Sequence, residues 1–305
     1  MGILNNMILK VNRFIGFTLF CGCLISTLLI ICEFPGKLNH PKTPRRKMRI
    51  WNDFDLNGIS EYCNFNFPPA KLCMMYDGLT VGTILEKNVY IMGERHSGTN
   101  LISTLLHQNF NVTIHDGLGA HKHVFQDTEG PFNAGVAVVS IRNPFDWVLG
   151  MKKQCWFCQS PEWDRNVSTW NLEDFVSVPW EGSFEGNEKF RNIFEMRYTK
   201  LCNHLQASLR ATCVLLVRHD DLILPWQQVK FIHQIPSLLG WSLSTKAKYL
   251  STYKWMEGEP YDSFAEISRS HQMTPLNQSA IEIVKNHMNA TLEASLGYFA
   301  LTDFM

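Results

Sequence analysis

The sequence carries no excess charge of either sign: 28 Lys and Arg stand against 28 Asp and Glu over 305 residues. A chain this balanced lacks the basic footprint of a general nucleic-acid binder, so nucleic acid is not an expected partner and any cationic site must be local. There is no internal repeat, which excludes a stacked-repeat architecture. Cys155-Trp-Phe-Cys158 has no second paired motif beside it, which favours structural disulfide chemistry over a zinc or redox centre. No Asp, Glu and His cluster with ligand spacing stands near the chain's glycine loop, so no metal is expected. Apolar residues are plentiful, and at 45% they suffice for one sizeable core plus an appendage.

Residues 14–32 contain no charged side chain. At ~1.5 Å per residue the stretch spans ~28 Å, enough for a hydrocarbon core of about 30 Å. The apolar region of a cleaved signal peptide is shorter, ~7–15 residues, so a retained transmembrane anchor is expected. Its orientation is contested within the sequence. Lys10 and Arg13 precede it, and Lys37, Lys42, Arg45, Arg46, Lys47 and Arg49 follow, which taken literally puts the large C-terminal part in the cytosol. Four Asn-x-Ser/Thr sequons (Asn111, Asn166, Asn277, Asn289) and six later cysteines (Cys63, Cys73, Cys155, Cys158, Cys202, Cys213) oppose that. They outweigh a basic cluster lying well beyond the helix end. The expected layout is a cytosolic tail over 1–13, an anchor over 14–32, a stem and N-terminal lumenal segment over 33–86, and a globular domain over 87–305.

Within 33–86, Cys63 and Cys73 are placed to close a small loop across Phe67-Pro68-Pro69. From Lys87 onward strands and helices alternate. The pattern predicts strands at 89–92, 111–114, 135–141 and 213–217, and helices at 99–108, 188–209 and 279–296. Gly135–Ile141 (Gly-Val-Ala-Val-Val-Ser-Ile) reads as a continuous, largely apolar strand, as in a parallel sheet covered on both faces. This alternation predicts an α/β doubly wound parallel sheet with ligands beyond the carboxyl ends of its strands.

Residues 88–100 are the most informative stretch. Val89-Tyr90-Ile91 leads into Gly93; Gly98 follows, and Thr99 opens an amphipathic segment. A strand, a glycine-bounded loop and a helix N-terminus turn backbone N–H groups toward a phosphate. A nucleotide triphosphatase would place Lys between Gly98 and Thr99. That lysine is absent, so a donor with a single 5′-phosphate, such as a sulfonucleotide, suits the loop better than ATP.

Four segments then appear in order: Gly93-Glu-Arg-His-Ser-Gly-Thr-Asn100, Val138-Val-Ser-Ile-Arg-Asn-Pro-Phe-Asp-Trp147, Leu215-Leu-Val-Arg-His-Asp-Asp-Leu222, and a terminal helix running into Leu296-Gly297-Tyr298. Together they resemble the membrane-anchored, Golgi-type sulfotransferases of the P-loop fold. The resemblance implies 3′-phosphoadenosine 5′-phosphosulfate as co-substrate and a hydroxyl or amine acceptor on a glycan, glycoprotein or small compound. It further implies a Golgi membrane address in single-pass type II orientation, and admits a homodimer. Arg95, His96, Ser97, Gly98, Thr99 and Asn100 would hold the 5′-phosphosulfate, and Arg142 the 3′-phosphate. His96 stands where many relatives carry a loop Lys; protonated, it would stabilise the bridging oxygen and make the rate pH-sensitive. Gly150 stands where relatives carry a Ser that shares the 3′-phosphate, which passes that grip to Lys152 or Lys153.

Sulfuryl transfer asks for in-line positioning, cationic or N–H stabilisation, and a base for the acceptor proton. His121-Lys122-His123 follows the second strand, where the family places its catalytic residue. Lys122 would bind a sulfonate oxygen and His123 would take the proton, with His115 and Glu94 as rivals. Glu195, Arg197 and Lys200 read as a solvated helix face or as secondary donor contacts. Two alternatives stand beside this reading. A Golgi glycosyltransferase would use Asp53-Phe54-Asp55 as a metal motif, though that triplet sits in the stem. A degenerate adhesive or receptor protein would explain His96 and Gly150.

Overall fold

The apolar runs become four parallel strands: β1 (Asn88–Gly93), β2 (Thr113–Asp116), β3 (Val136–Ile141) and β4 (Cys213–Arg218). The computed structural model describes residues 54–68, 71–73, 87–129, 135–154, 169–181, 188–244, 246–250, 252–253, 262–263 and 277–298. The expected tail and anchor, most of the stem, Cys155, Cys158 and Asn166 lie outside the described residues. Among those described, no helix is long and apolar enough to cross a membrane.

The strand order is β2-β1-β3-β4. Chain direction therefore reverses between β1 and β3: one connection runs outward to β2 and the next crosses to β3. That places a crevice beyond the carboxyl ends of β1 and β3, where open α/β sheets take ligands.

Helices cover both faces. Val89, Ile91, Val136, Val138, Leu215 and Val217 point into a core shared with α2 (Thr99–Asn109) and α6 (Pro225–Leu239). Tyr90, Met92, Ala137, Val139, Val214 and Leu216 point into the other, shared with α3 (Pro144–Lys153), α4 (Leu172–Ser177), α5 (Ile193–Ser208) and α8 (Ala290–Ser295). Burial on both sides is why β3 and β4 carry no alternation of polar residues.

Three elements differ from expectation. The second strand lies two residues later than predicted, at 113–116. The predicted helix 188–209 starts only at Ile193, because Lys189–Phe190 pairs antiparallel with Trp180–Glu181 and Asn192 caps the helix by accepting the Glu195 N–H. The predicted helix 279–296 is two helices, α7 (Gln278–His287) and α8. Asn289 breaks it: its side chain accepts the Leu292 N–H at 2.9 Å, and its own N–H donates to the Tyr198 hydroxyl.

The cysteine pairing is also corrected. Cys63 and Cys73 do not close a loop with each other; Cys63 joins Cys202 on α5 and Cys73 joins Cys213 at the start of β4. Between them, α1 (Leu56–Cys63) buries Ile59, Phe67 is buried behind it, and Leu72 bridges Val214 on the outer edge of β4. Residues 54–68 and 71–73, expected to precede the domain, contribute Ile59, Phe67, Leu72 and Cys73 to its core. Crosslinks closing loops of 139 and 140 residues restrict the unfolded chain, a contribution of about 4–5 kcal/mol each in the loop-entropy account.

Candidate functional site

All four segments singled out in the sequence converge on the carboxyl end of the sheet. β1 ends at Gly93, and the chain turns so that the Ser97 N–H returns to the Glu94 carbonyl at 3.1 Å. His96 adopts a left-handed conformation (φ 61°), unusual for a residue with a Cβ. Gly98 follows at φ 85°, and a Cβ there would fall 2.2 Å from the His219 ring. Only glycine fits, because the turn after β4 packs onto the loop.

The donors of the loop split into two sets. Ser97 is buried, and both its N–H and its hydroxyl (2.6 Å) are spent on the Glu94 carbonyl, so the expected donation from Ser97 to a ligand is turned inward. Thr99 and Asn100 open α2 behind Gly98, which supplies no side-chain cap. Their N–H groups have no partner within the helix, as in any first turn.

Arg142 ends β3 and is buried at 6% exposure. Its Nη1 donates to the His96 carbonyl at 2.9 Å, and its Nε is buried without a hydrogen-bond partner among the described residues. The buried Asp220 carboxyl lies within electrostatic reach of this guanidinium, and an anion at Nε would supply the hydrogen bond that Nε lacks. Gly150 lies alongside: a Cβ there would stand 3.3 Å from the His96 side chain and 3.5 Å from Arg142 Nη1. His96, Arg142 and Gly150 thus form one cluster, and the missing hydroxyl at 150 makes room for the imidazole at 96.

The His96 ring is fixed by donation from Nε2 to the Gln154 carbonyl at 2.9 Å, which leaves Nδ1 as the acceptor nitrogen. Burial pushes its pKa down to about 4, with Arg142 and Arg95 adding to the shift and the Gln154 bond opposing it. Burial therefore favours the neutral ring over the protonated His96 that the resemblance implies.

The loop after β2 meets this site directly. The Gly93 N–H donates to the Lys122 carbonyl at 3.1 Å, and His123 Nδ1–H donates to the Gly93 carbonyl at 2.7 Å. That bond sets the His123 tautomer, with Nε2 carrying the lone pair a base needs. Burial lowers its pKa to about 3, helped by Lys122, His121 and Arg95. Lys122 Nζ pairs with Asp116 at 3.0 Å. Of the rival bases, His115 stacks on Tyr90 and meets Asn88 at 3.2 Å, toward the opposite end of β1. Glu94 is buried and its Oε2 accepts from Arg197 at 2.8 Å, which ties the carboxylate inward.

Arg197 and Lys200 are not on a solvated face: both are buried, Arg197 completely. Arg197 donates to Glu94 (2.8 Å), to Glu293 on α8 (3.1 Å) and to the Arg142 carbonyl (2.7 Å). Burial alone would lower its pKa, but Glu293 and Glu94 outweigh that and raise it above its ordinary value. It binds the start of the glycine loop, the end of β3 and the C-terminal helix into one web. Tyr298 closes the same corner, its hydroxyl 3.0 Å from Asp220 Oδ2 and 3.2 Å from the Ile141 carbonyl. Arg197→Ala would leave two buried carboxylates uncompensated and should destabilise the fold by ~3–5 kcal/mol, read as a lowered urea midpoint. A midpoint matching wild type would mean that water reaches this web.

Among the described residues, no group of three or more His, Cys, Asp or Glu side chains is arranged to hold a metal ion. Asp55 of the Asp-x-Asp triplet caps α1, accepting the Asn57 and Gly58 N–H groups at 3.1 Å. No family model matches the chain, and neither a curated protein nor a solved structure matches it.

Proposed function

We propose that this protein is a sulfotransferase of P-loop type that moves a sulfuryl group from 3′-phosphoadenosine 5′-phosphosulfate to a hydroxyl or amine acceptor. The observation that carries the reading is Arg142, a buried guanidinium with an unpartnered Nε, set beside a glycine loop and helix N-terminus that lack the triphosphatase lysine. Thr99 and Asn100 present N–H groups to the 5′-phosphosulfate, and Arg142 grips a phosphate. The acceptor oxygen bonds to sulfur, the bond from sulfur to the phosphate oxygen breaks, and the acceptor proton passes to His123 Nε2, releasing adenosine 3′,5′-bisphosphate. A glycan or glycoconjugate is the acceptor class that a Golgi lumen would offer. Lumenal placement is supported by the two disulfides and by exposed sequons at Asn111 and Asn277. Protease protection in intact microsomes tests it: a C-terminal part digested without detergent puts that part in the cytosol.

Retention on immobilised adenosine 3′,5′-bisphosphate is the direct test of the site. Arg142→Ala removes a charge-assisted contact worth ~1.5–3 kcal/mol, so affinity should fall roughly 10- to 150-fold. Wild-type protein that fails to bind, or that ATP elutes equally well, would remove the basis for this function. For the glycosyltransferase alternative, Asp55 of the triplet serves as the cap of α1, and Asp53 lies outside the described residues.

A further inference from the structure

We infer that Gln126 is a positioning residue for transfer, its side-chain amide clamping the loop that carries Lys122 and His123 onto the end of β1. The inference rests on the reading of His123 as the base. Residues 117–126 contain no helix or strand, yet they hold the His123 ring against Gly93. Chain of this kind is ordinarily among the least stable parts of a fold. Something must fix it.

Gln126 is 4% exposed, and every polar group of its amide is used. Its Oε1 accepts the Leu118 N–H at 2.7 Å. Its Nε2 donates to the His121 carbonyl at 2.9 Å and to the Val124 carbonyl at 2.8 Å. Those two carbonyls bracket Lys122 and His123, so one side chain ties both ends of the functional turn. Gly117 closes the other side at φ 86°, where a Cβ would fall 2.7 Å from Gln126 Oε1.

The clamp is itself anchored to α5. The Gln126 N–H donates to Asn203 Oδ1 at 2.6 Å, and the Gln126 carbonyl accepts from Asn203 Nδ2 at 2.9 Å. His204 Nε2 donates to the Val124 carbonyl at 3.0 Å. No other side chain substitutes for the amide: glutamate lacks the donors, and leucine lacks donors and acceptor alike. Gln126 touches no reacting atom in this scheme. It acts through His123, and a displacement of about 1 Å in a catalytic group can cost ~10²-fold in rate.

Gln126→Ala and Gln126→Glu in the full-length protein test this with three readouts. Affinity for adenosine 3′,5′-bisphosphate should stay within about twofold of wild type. Single-turnover transfer from radiolabelled donor to a panel of desulfated glycan, tyrosyl peptide and simple phenol should fall ~10²-fold. Nitrogen-15 resonances of the His123 ring should lose the single Nδ1–H tautomer, with a titration midpoint raised from about 3 as the ring leaves its burial beside Arg95, His121 and Lys122. If the alanine variant does not fold, the glutamate variant carries the test. Its carboxylate faces the His121 and Val124 carbonyls, and protonation restores one donor, so its transfer rate should recover as pH falls from 8 to 5. An unmoved His123 signature in the glutamate variant overturns the role of Gln126. A displaced signature with undiminished transfer overturns His123 as base and the transfer role of Gln126 together. Wild-type protein inert toward the panel overturns the proposed function, while the ring spectrum still reports whether the clamp exists.

Discussion

His123→Ala should lower single-turnover transfer by ~10²-fold, the low end for a positioned base because burial depresses its pKa to about 3, while leaving affinity for adenosine 3′,5′-bisphosphate near wild type. The split follows from geometry. His123 is held through its own Nδ1–H bond to the Gly93 carbonyl, whereas the groups proposed to hold phosphate, the Thr99 and Asn100 N–H groups and Arg142, sit on different elements. Removing the ring deletes the Nε2 lone pair but leaves the Gly93 N–H bonded to the Lys122 carbonyl, so the loop keeps one of its ties to β1. His123→Gln keeps a donor able to reach Gly93 but supplies no comparable base, and should be equally slow. If either variant transfers at the wild-type rate, the proton leaves by another route.

Why the placement of Lys122 and His123 beside the glycine loop was legible in the sequence, and the contacts of Gln126 were not, comes down to range. The strand, glycine loop and helix at 88–109 are local, written in residues a few positions apart, and they fold as their pattern dictates. Arg142 follows the same logic: an apolar run ending at Arg-Asn-Pro must leave its guanidinium at the carboxyl end of a strand. Once β2 runs parallel to β1, the segment after it returns to the same end, so His121-Lys122-His123 arrives beside Gly93. Gln126 carries no local signal, because its partners are backbone groups of a turn whose shape depends on the amide itself.

Arg197 shows the opposite failure. Its helical spacing beside Glu195 and Lys200 has the appearance of a solvated face, and the carboxylates that justify its burial lie 103 and 96 residues away. No window of sequence contains all three. The disulfides belong to the same class: Cys63 and Cys73 are close in the chain, yet their partners come from α5 and β4, because Cys63 closes α1 against α5 while Leu72, next to Cys73, bridges Val214 on β4. The break before α8 was accessible, since Asn289 is a strong helix-capping residue. The charge state of His96 was not. The lowered pKa arises chiefly from burial, against the opposing bond to the Gln154 carbonyl, and the ring packs close to Gly150, which has no side chain to meet it.

Unfolding free energy should fall by ~5 kcal/mol between pH 6.5 and pH 5, because three buried imidazoles are held neutral in the folded protein. His96 and His204 are pushed to about 4 and His123 to about 3, in each case chiefly by burial. The unfolded chain takes up a proton at each near the ordinary histidine value, whereas the folded chain does not. Between those limits the unfolded state binds more protons, so stability falls as pH falls, at up to ~1.4 kcal/mol per pH unit for each ring. Their contribution is fully present above about 6.5 and is lost as pH drops toward 3–4. The buried Asp220 and Glu293 carboxyls, raised above their ordinary values chiefly by burial, oppose this slope in part. Urea midpoints at pH 7, 6 and 5 measure the slope, and His204→Phe, which keeps a ring without its ionisation, should remove about a third of it. Equal midpoints at pH 7 and 5 would mean that water reaches these rings in the folded protein, and with it the Nδ1–H bond that orients His123 would lose its dry surroundings.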